Sequence, residues 1–166
     1  ISGTAPGPLG ARHPSITPFE AYKTKDGYII ISAGNDGLFA KLAEALENPG
    51  WAENPDYSSN DNRNKHVEKL KIEMESVLTA HTTSHWIEVL DKFGVPSGPI
   101  NDIGQAATHP QTIARNMIVS VDDPITGPMK VAGNPIKISG FEDPETRDPA
   151  PNLDQNREEI LRELSD

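Results

Sequence analysis

The sequence contains five histidines, and two of them have the spacing of metal ligands on a helix. His81 and His85 are four residues apart, which on one continuous helix places two imidazoles on the same face. Thr82 and Thr83 mark a helix boundary between them, where the two rings need not share a face. No third ligand has a convincing spacing, so we interpret the histidines as surface or capping residues and predict no metal site.

Carboxylates and hydroxyls offer three further candidates for chemistry. Asn35-Asp36 follows a strongly apolar run and precedes a helical pattern, and loops at strand ends often hold ligands. Capping of that helix is an equally good interpretation of the pair. Asp122-Asp123 precedes a proline, which favours a solvated turn. Ser84-His85 lies at a helix start without the strained turn that a serine nucleophile requires, so hydrolase chemistry is disfavoured.

The glycines near the amino terminus do not form a nucleotide-binding loop. Gly3, Gly7 and Gly10 match neither phosphate-loop spacing and lack the required strand–loop–helix context. Glycine and proline spacing would still allow the backbone to approach a ligand closely. A linker is the simpler interpretation, and we assign residues 1–18 to it.

Charge and composition exclude several classes of partner. The 166 residues carry 15 Lys and Arg against 25 Asp and Glu, a formal charge of -10, which disfavours nucleic acid and anionic membranes. No apolar run reaches the length of a membrane span. Cysteine is absent, which fits a cytoplasmic protein. Hydrophobic residues are only 35%, so we expect part of the chain to pack against something that it does not contain.

The elements that position these residues follow from local patterns. Asp26-Gly27 between two β-prone runs predicts a hairpin, and the second run, from Tyr28 to Ser32, predicts a central strand covered on both faces. Apolar stripes predict helices from Leu38 to Leu46, from Val67 to Leu78 and from Trp86 to Phe93. Asn35 or Asp36 and Thr82 or Thr83 are the expected N-caps, and Gly94 is the expected stop.

The second half of the chain is richer in proline. Short helices are expected near 102–107 and 109–116, and strands at 117–121 and 129–132 flank a turn. A proline-punctuated stretch then leads to a final amphipathic helix that uses Leu153, Ile160, Leu161 and Leu164. We predict an α+β fold with three regions: a linker or Gly-Pro loop at 1–18, a small α+β domain at 19–121, and a strand pair, strap and terminal helix at 122–166.

Several of these segments, in order, are similar to the family III CoA-transferases. The matching segments are residues 10–31, Asn35 with the helix to Leu46, residues 54–60 with Arg63, Thr83 to Trp86, residues 93–101, His109 to Gln111 with Arg115 to Met117, Gly133 to Lys137, and Ala150 to Leu153. The resemblance covers nearly the whole chain. The family includes formyl-CoA transferases, carnitine CoA-transferases and α-methylacyl-CoA racemases.

The resemblance implies a large Rossmann-like domain, a small α+β domain and two interlocked subunits. It also implies a nucleophilic Asp that forms a mixed anhydride and then a CoA thioester, a task that suits a carboxylate. That Asp is expected upstream of Ile1, so no catalytic residue is assigned here. Coenzyme A or acyl-CoA is then a substrate of the full-length enzyme rather than a tightly bound cofactor, and carboxylic acids are its partners.

The residues expected at the rim of the active site are few. Gly7 and Gly10 lie near where some transferases keep a glycine-rich loop, although this chain lacks the run of consecutive glycines. Asp36 lies near an acidic position of racemase members, with Asn35 beside it, and Arg12 and His13 could face the same cleft. Leu153-Asp154-Gln-Asn departs from the family's usual Leu-Gly-Glu-His-Thr, but Asp154 is still expected to cap the last helix.

We therefore expect the carboxy-terminal portion of an acyl-CoA transferase, serving as active-site lid and dimer strap and inactive alone. One alternative within the family is an α-methylacyl-CoA racemase-like isomerase. The other is a free-standing, non-catalytic binding or scaffold domain.

Overall fold

The chain forms two units, which are described separately. A computed structural model describes residue 3 and residues 7–165. Contacts within the chain group it into one unit up to Ile100, called unit 1, and a second from Asn101, called unit 2. The predicted linker falls partly outside the described residues, and its described part from residue 7 to 18 contains neither helix nor strand. Mixed helices and small sheets confirm the predicted α+β class.

Unit 1 is a three-stranded antiparallel sheet packed with helices. Its strands are β1 (Phe19–Lys23), β2 (Tyr28–Ser32) and β3 (Ser97–Pro99), in the order β1-β2-β3. Its helices are α1 (Asp36–Ala45), α2 (Gly50–Glu53), α3 (Asn60–Lys65), α4 (Val67–Leu78) and α5 (Thr83–Phe93). The predicted hairpin is confirmed, since Lys23 pairs with Tyr28 across the turn that contains Asp26-Gly27.

The predicted central position of β2 is confirmed, but its predicted coverage is wrong. Ile29 and Ile31 are fully buried, whereas Ile30 is half-buried and Tyr28 is exposed. The apolar run therefore presents one face to the core, as strands of antiparallel sheets commonly do. The second face is only partly covered.

The residues that begin α1 and α5, and the residue that ends α5, were predicted correctly. The Asn35 side chain accepts a hydrogen bond from the Leu38 amide at 2.8 Å, so Asn35 caps α1. Thr82 caps α5 in the same way. Gly94 ends α5 with φ 66°, a conformation in which glycine has no steric penalty.

The core of unit 1 lies between the sheet and the helices. It joins β2 to the apolar faces of α1, α4 and α5. Its largest apolar members are Tyr22, Ile29, Ile31, Phe39, Leu42, Leu46, Tyr57, Leu70, Met74, Leu78, Trp86 and Leu90. Two charged side chains are also buried, Arg63 and Glu20, and Glu20 is paired with Lys71 of α4.

Unit 2 contains a second small sheet and short helices. Its elements are α6 (Ile103–Thr108), α7 (Pro110–Ala114), β4 (Ile118–Asp123), β5 (Gly127–Ala132), β6 (Thr146–Arg147) and α8 (Arg157–Glu163). The strand order is β5-β4-β6, with β4 antiparallel to β5 and parallel to β6. The predicted strand pair and short helices are thus present.

The terminal helix differs from the prediction. It begins at Arg157, so Leu153 lies before it and is fully exposed. Asp154 does not cap it: its backbone has φ 67° and its carboxylate accepts a hydrogen bond from Arg157 at 3.3 Å. Asn156 is the N-cap, without a side-chain hydrogen bond. The local turn places Asp154 too early in the chain to reach the first free amides of α8.

Unit 2 buries little apolar surface in itself. Val119, at 2% exposure, is the one hydrophobic side chain that is buried among its described residues. A polar cluster holds the proline-rich segment instead: Asp143 pairs with Lys137 and, at 2.9 Å, with Arg147. The hydrogen bond from Lys137 holds the pKa of Asp143 below its ordinary value. The large hydrophobic side chains that unit 2 exposes are Ile103, Ile113, Ile118, Ile125, Met129, Val131, Ile136, Ile138, Phe141, Leu153, Ile160, Leu161 and Leu164.

None of the described helices is both long and apolar enough to cross a bilayer.

The helix α4 offers a matched test of the core. Leu70 is 0% exposed and Ile72, two residues later, is 70% exposed. We expect Leu70→Ala to lower the free energy of unfolding by about 2–5 kcal/mol, because it removes buried methyl groups and leaves a cavity. Ile72→Ala should change it by less than about 0.5 kcal/mol. Urea unfolding followed by circular dichroism measures both, and equal effects would contradict this assignment of the core face.

The turn residue Asp26 should make stability depend on pH. Its carboxylate accepts hydrogen bonds from the Thr83 amide at 2.8 Å and the Thr83 hydroxyl at 3.0 Å, which hold its pKa below the ordinary 3.8. A lowered folded-state pKa stabilises the fold above the ordinary pKa, and this contribution is lost as the pH falls through the lowered value. Asp26→Asn should therefore have a lower urea midpoint than wild type at pH 7.

The difference between wild type and Asp26→Asn should shrink as the pH falls through the lowered pKa of Asp26, because the wild-type carboxyl is then protonated as well. Asp91→Asn is the control, because no hydrogen bond joins the Asp91 side chain to a described residue. A difference for Asp26→Asn that persists unchanged in acid would contradict the assigned role of its charge.

Candidate active-site rim

Arg63 of α3 is a fully buried cation at the edge of the sheet of unit 1. Its Nε donates to the Thr17 carbonyl at 2.7 Å and its Nη1 to the Tyr57 carbonyl at 2.9 Å. Its Nη2 donates to the Gly34 carbonyl at 3.2 Å and to Asp36 Oδ1 at 2.9 Å. The guanidinium also lies 4.5 Å from the centre of the Phe39 ring. One side chain thus joins the loop before β1, the end of β2 and the start of α1.

The Asn35-Asp36 pair combines the two interpretations that the sequence left open. Asn35 caps α1, which is the structural role. Asp36 is the first residue of α1 and pairs with Arg63, yet 65% of its side chain remains exposed. Its carboxylate is therefore held in one direction and is still accessible from solvent.

The loop before β1 is fastened to α3 by a set of amide contacts. Asn60 Oδ1 accepts from the Thr17 amide at 3.0 Å, and the Thr17 hydroxyl donates to Asn64 Oδ1 at 2.6 Å. The side-chain amides of Asn60 and Asn64 both donate to the Ser15 carbonyl, at 2.9 and 2.8 Å. Residues 15–17 therefore have a fixed position relative to Arg63.

Arg12 and His13 lie in the same loop but turn to other partners. Arg12 donates to Glu68 of α4 at 3.1 Å. The His13 ring stacks on Phe19, with centroids 5.4 Å apart, and its Nδ1 accepts from the Ser15 amide at 3.2 Å. Within the part of the chain that the structure describes, no hydrogen bond joins either residue to Asn35 or Asp36. Their place at the rim stays a prediction.

The glycines of this region behave differently from one another. Gly7 and Gly10 are exposed with open space around them, and Gly10 has φ 64°. Gly34 is the crowded one, because a Cβ there would lie 2.0 Å from Ile16 Cγ2. A side chain at 34 would push the Ile16 loop away from the strand end.

Sequence patterns missed Arg63 and Gly34 as members of this region. The segment of α3 carries no apolar period, and its arginine looks like an ordinary surface cation. Arg63 could have been found only through the resemblance to the family III CoA-transferases, whose matching segments include it but give it no role.

The other candidates for chemistry have structural explanations. Asp123 accepts hydrogen bonds from the Ile125 and Thr126 amides, each at 2.8 Å, which lower its pKa and confirm the predicted turn. His81 lies outside α5 and His85 within it, as the predicted helix boundary requires, and their rings stack at 4.2 Å. Over residue 3 and residues 7–165, no group of three or more His, Cys, Asp or Glu side chains could hold a metal ion.

The buried guanidinium can be tested with a pair of variants. Arg63→Lys keeps a charge but cannot reproduce the forked donors, so buried carbonyls lose their partners. We expect it to lower the free energy of unfolding by about 2–4 kcal/mol. Asp36→Asn should cost at most about 1 kcal/mol, because the carboxylate side of the pair is exposed. Denaturant titration distinguishes these outcomes, and a harmless Arg63→Lys would contradict the role assigned to Arg63.

Comparison with known proteins agrees with the ordered motifs. The chain is 37% identical over 164 residues to the acetyl-CoA:oxalate CoA-transferase of Acetobacter aceti, covering 99% of this chain and 41% of that protein. It is 34% identical to human succinyl-CoA:glutarate CoA-transferase, covering 93% of this chain and 35% of the relative. A crystal structure of a CAIB/BAIF family protein from Brucella suis superposes with a TM-score of 0.74 at 32% identity, covering 98% of this chain and 42% of that one.

The chain thus spans about two fifths of the length of the relatives that it matches. The family model described as CoA-transferase family III matches residues 1–157. This chain belongs to CoA-transferase family III.

Proposed function

We propose that this chain is the carboxy-terminal portion of a cytoplasmic acyl-CoA transferase that moves CoA between carboxylic acids. The observation that carries the proposal is the position of Asp36, fixed by Arg63 yet 65% exposed in its side chain, at the end of the central strand of a family III chain. Relatives named as CoA-transferases support the reaction class. CoA thioesters are then substrates and not resident cofactors.

Unit 1 supplies one wall of the active site in this proposal. The exposed carboxylate of Asp36 and the side chains of Asn35, Arg12 and His13 form a polar rim. Gly7 and Gly10 lie in the loop that precedes it, and the open space around both is compatible with a lid. Arg63 holds the wall in place through the Thr17 and Gly34 carbonyls.

The nucleophilic carboxylate belongs to a different segment of the parent protein. A carboxylate can attack an acyl-CoA, forming a mixed anhydride and releasing the CoA thiolate. The thiolate then attacks the enzyme's own carbonyl of that anhydride, forming an enzyme–CoA thioester and releasing the donor carboxylic acid. No carboxylate of this chain is assigned that step. Activity therefore requires the parts that the relatives carry beyond the matched region.

Unit 2 serves as the strap in this proposal. Its described residues expose many isoleucines and leucines, and large apolar side chains left exposed in such number favour an interface. We propose that they pack on a large Rossmann-like domain and on a second subunit of a homodimer. Its internal polar cluster around Asp143 keeps the strap in shape without a core of its own.

The substrates are proposed to be small carboxylic acids and their CoA thioesters. The relatives' names pair acetyl-CoA with oxalate and succinyl-CoA with glutarate, so dicarboxylic acids are the first acceptors to examine.

The experiment compares two preparations with the same substrates. The chain alone, and the chain joined to the amino-terminal portion of its parent protein, are incubated with acetyl-CoA or succinyl-CoA and with oxalate or glutarate. Chromatography then measures the new thioester. We expect turnover only in the joined protein, and Asp36→Asn in it should lower kcat/KM by about tenfold or more, with little change in stability.

Two results would overturn the proposal. Turnover by the chain alone would show that it contains its own nucleophile. In the joined protein, α-deuterium incorporation from heavy water without any CoA exchange would instead support the racemase-like alternative.

A further inference from the structure

Unit 1 contains a cavity at the opposite end of α1 from the proposed rim. It lies where the ends of α1 and α4 meet the start of α5 and has a volume of about 400 Å³. This volume is within the range of small-ligand sites. Its lining residues are Ala45, Leu46, Glu47, Val77, Ala80, His81, His85, Trp86 and Val89.

The floor of this cavity is apolar and belongs to the core. Leu46 and Trp86 are buried members of the core, and Val77 and Val89 pack against it. The Trp86 indole donates its Nε1 proton to the Leu78 carbonyl at 2.7 Å, so its polar atom is satisfied within the protein. The ring is therefore available to the cavity as an apolar aromatic surface.

The edge of the cavity carries a carboxylate in a strained position. Glu47 follows the C-cap of α1 with φ 58°, where glycine or asparagine is the usual residue. Its backbone is fixed there, since its amide donates to the Glu44 carbonyl at 2.9 Å. In residues 7–165, no hydrogen bond or ion pair engages its carboxylate. A non-glycine residue kept in this conformation suggests that its side chain has a use.

Two imidazoles complete the edge. The His81 and His85 rings stack on each other at 4.2 Å, and both approach Trp86 edge-on, at 5.6 and 5.2 Å. Stacked in this way, the rings present aromatic surface to the cavity. With Glu47 they line an opening of one carboxylate and two imidazoles, above the Trp86 indole of the floor.

The geometry points to a binding site for a small organic ammonium ion with an apolar tail. The Glu47 carboxylate attracts the cation, and the Trp86 indole beneath it stabilises it as an aromatic surface. The tail displaces water from the floor formed by Leu46, Trp86 and the valines. An anion of the same size is repelled by Glu47 and by the net charge of -10. The site does not depend on the proposed transferase function.

The test uses the full 166-residue chain and three probes of similar shape: n-butylammonium, butan-1-ol and butyrate. Proton–nitrogen spectra follow the Trp86 indole, with the Trp51 indole as an internal reference. We expect n-butylammonium to shift the Trp86 signal saturably, with a dissociation constant of about 1–10 mM for so small a ligand. Butan-1-ol should bind at least about fivefold more weakly and butyrate not measurably.

Variants separate a specific site from general attraction to an acidic surface. Glu47→Gln should weaken ammonium binding at least about fivefold, because it removes the charge and keeps the shape. Glu44→Gln, on an exposed position one turn earlier in α1, is the matched control and should leave binding unchanged. Glu47→Gly should relieve the positive φ and raise the unfolding midpoint, which shows that loss of binding is not loss of fold.

Three outcomes would overturn the inference. They are equal binding of n-butylammonium and butan-1-ol, equal effects of Glu47→Gln and Glu44→Gln, and the absence of a saturable Trp86 shift at about 50 mM probe, well above the expected constant.

Discussion

The buried guanidinium of Arg63 is the constraint on which unit 1 depends. Removing a cation from water costs several kcal/mol unless its donors all find acceptors. Here three backbone carbonyls and one carboxylate accept from it, and the Phe39 ring covers its face. These acceptors come from three separate stretches of the chain: the loop at Thr17, the β2–α1 junction at Gly34 and Asp36, and the turn at Tyr57. The arginine is tolerated only when all of them are in place, so it couples their positions.

The two units are stabilised in different ways. Unit 1 has a continuous apolar core, whereas the described part of unit 2 buries one hydrophobic side chain, Val119. Hairpin pairing and the Lys137–Asp143–Arg147 cluster hold unit 2 instead. Such polar contacts define a shape but contribute little stability at the surface. The low hydrophobic content of the whole chain therefore has a simple explanation. Unit 1 has the core of an ordinary domain, whereas the large apolar side chains of unit 2 are mostly exposed.

Short-range signals predicted most elements of the fold. The hairpin at Asp26-Gly27, the caps at Asn35 and Thr82 and the stop at Gly94 each depend on a residue and its near neighbours in the chain. The errors were of another kind. A single apolar run in β2 does not reveal how many of its faces are covered, and Asp154 lost its capping role because the preceding turn set where α8 begins.

Long-range contacts could not be predicted from the sequence. Arg63 contacts Thr17 and Gly34, which are 46 and 29 residues away, and nothing in the pattern around α3 marks it as buried. The close approach of Ile16 to Gly34 also depends on tertiary packing. The resemblance supplied the region of the candidate rim, but the contacts that fix it had to come from the structure.

Structural and functional roles need not compete at Asn35 and Asp36. Asn35 uses Oδ1 to cap α1, and Asp36 uses Oδ1 to accept from Arg63. For both side chains, the second polar atom has no hydrogen bond to a described residue, and both residues are exposed. The cap and the ion pair therefore fix the direction of two polar groups while leaving one atom of each accessible. Preorganisation of this kind is what a site needs, since groups that are already oriented lose little entropy when a substrate binds.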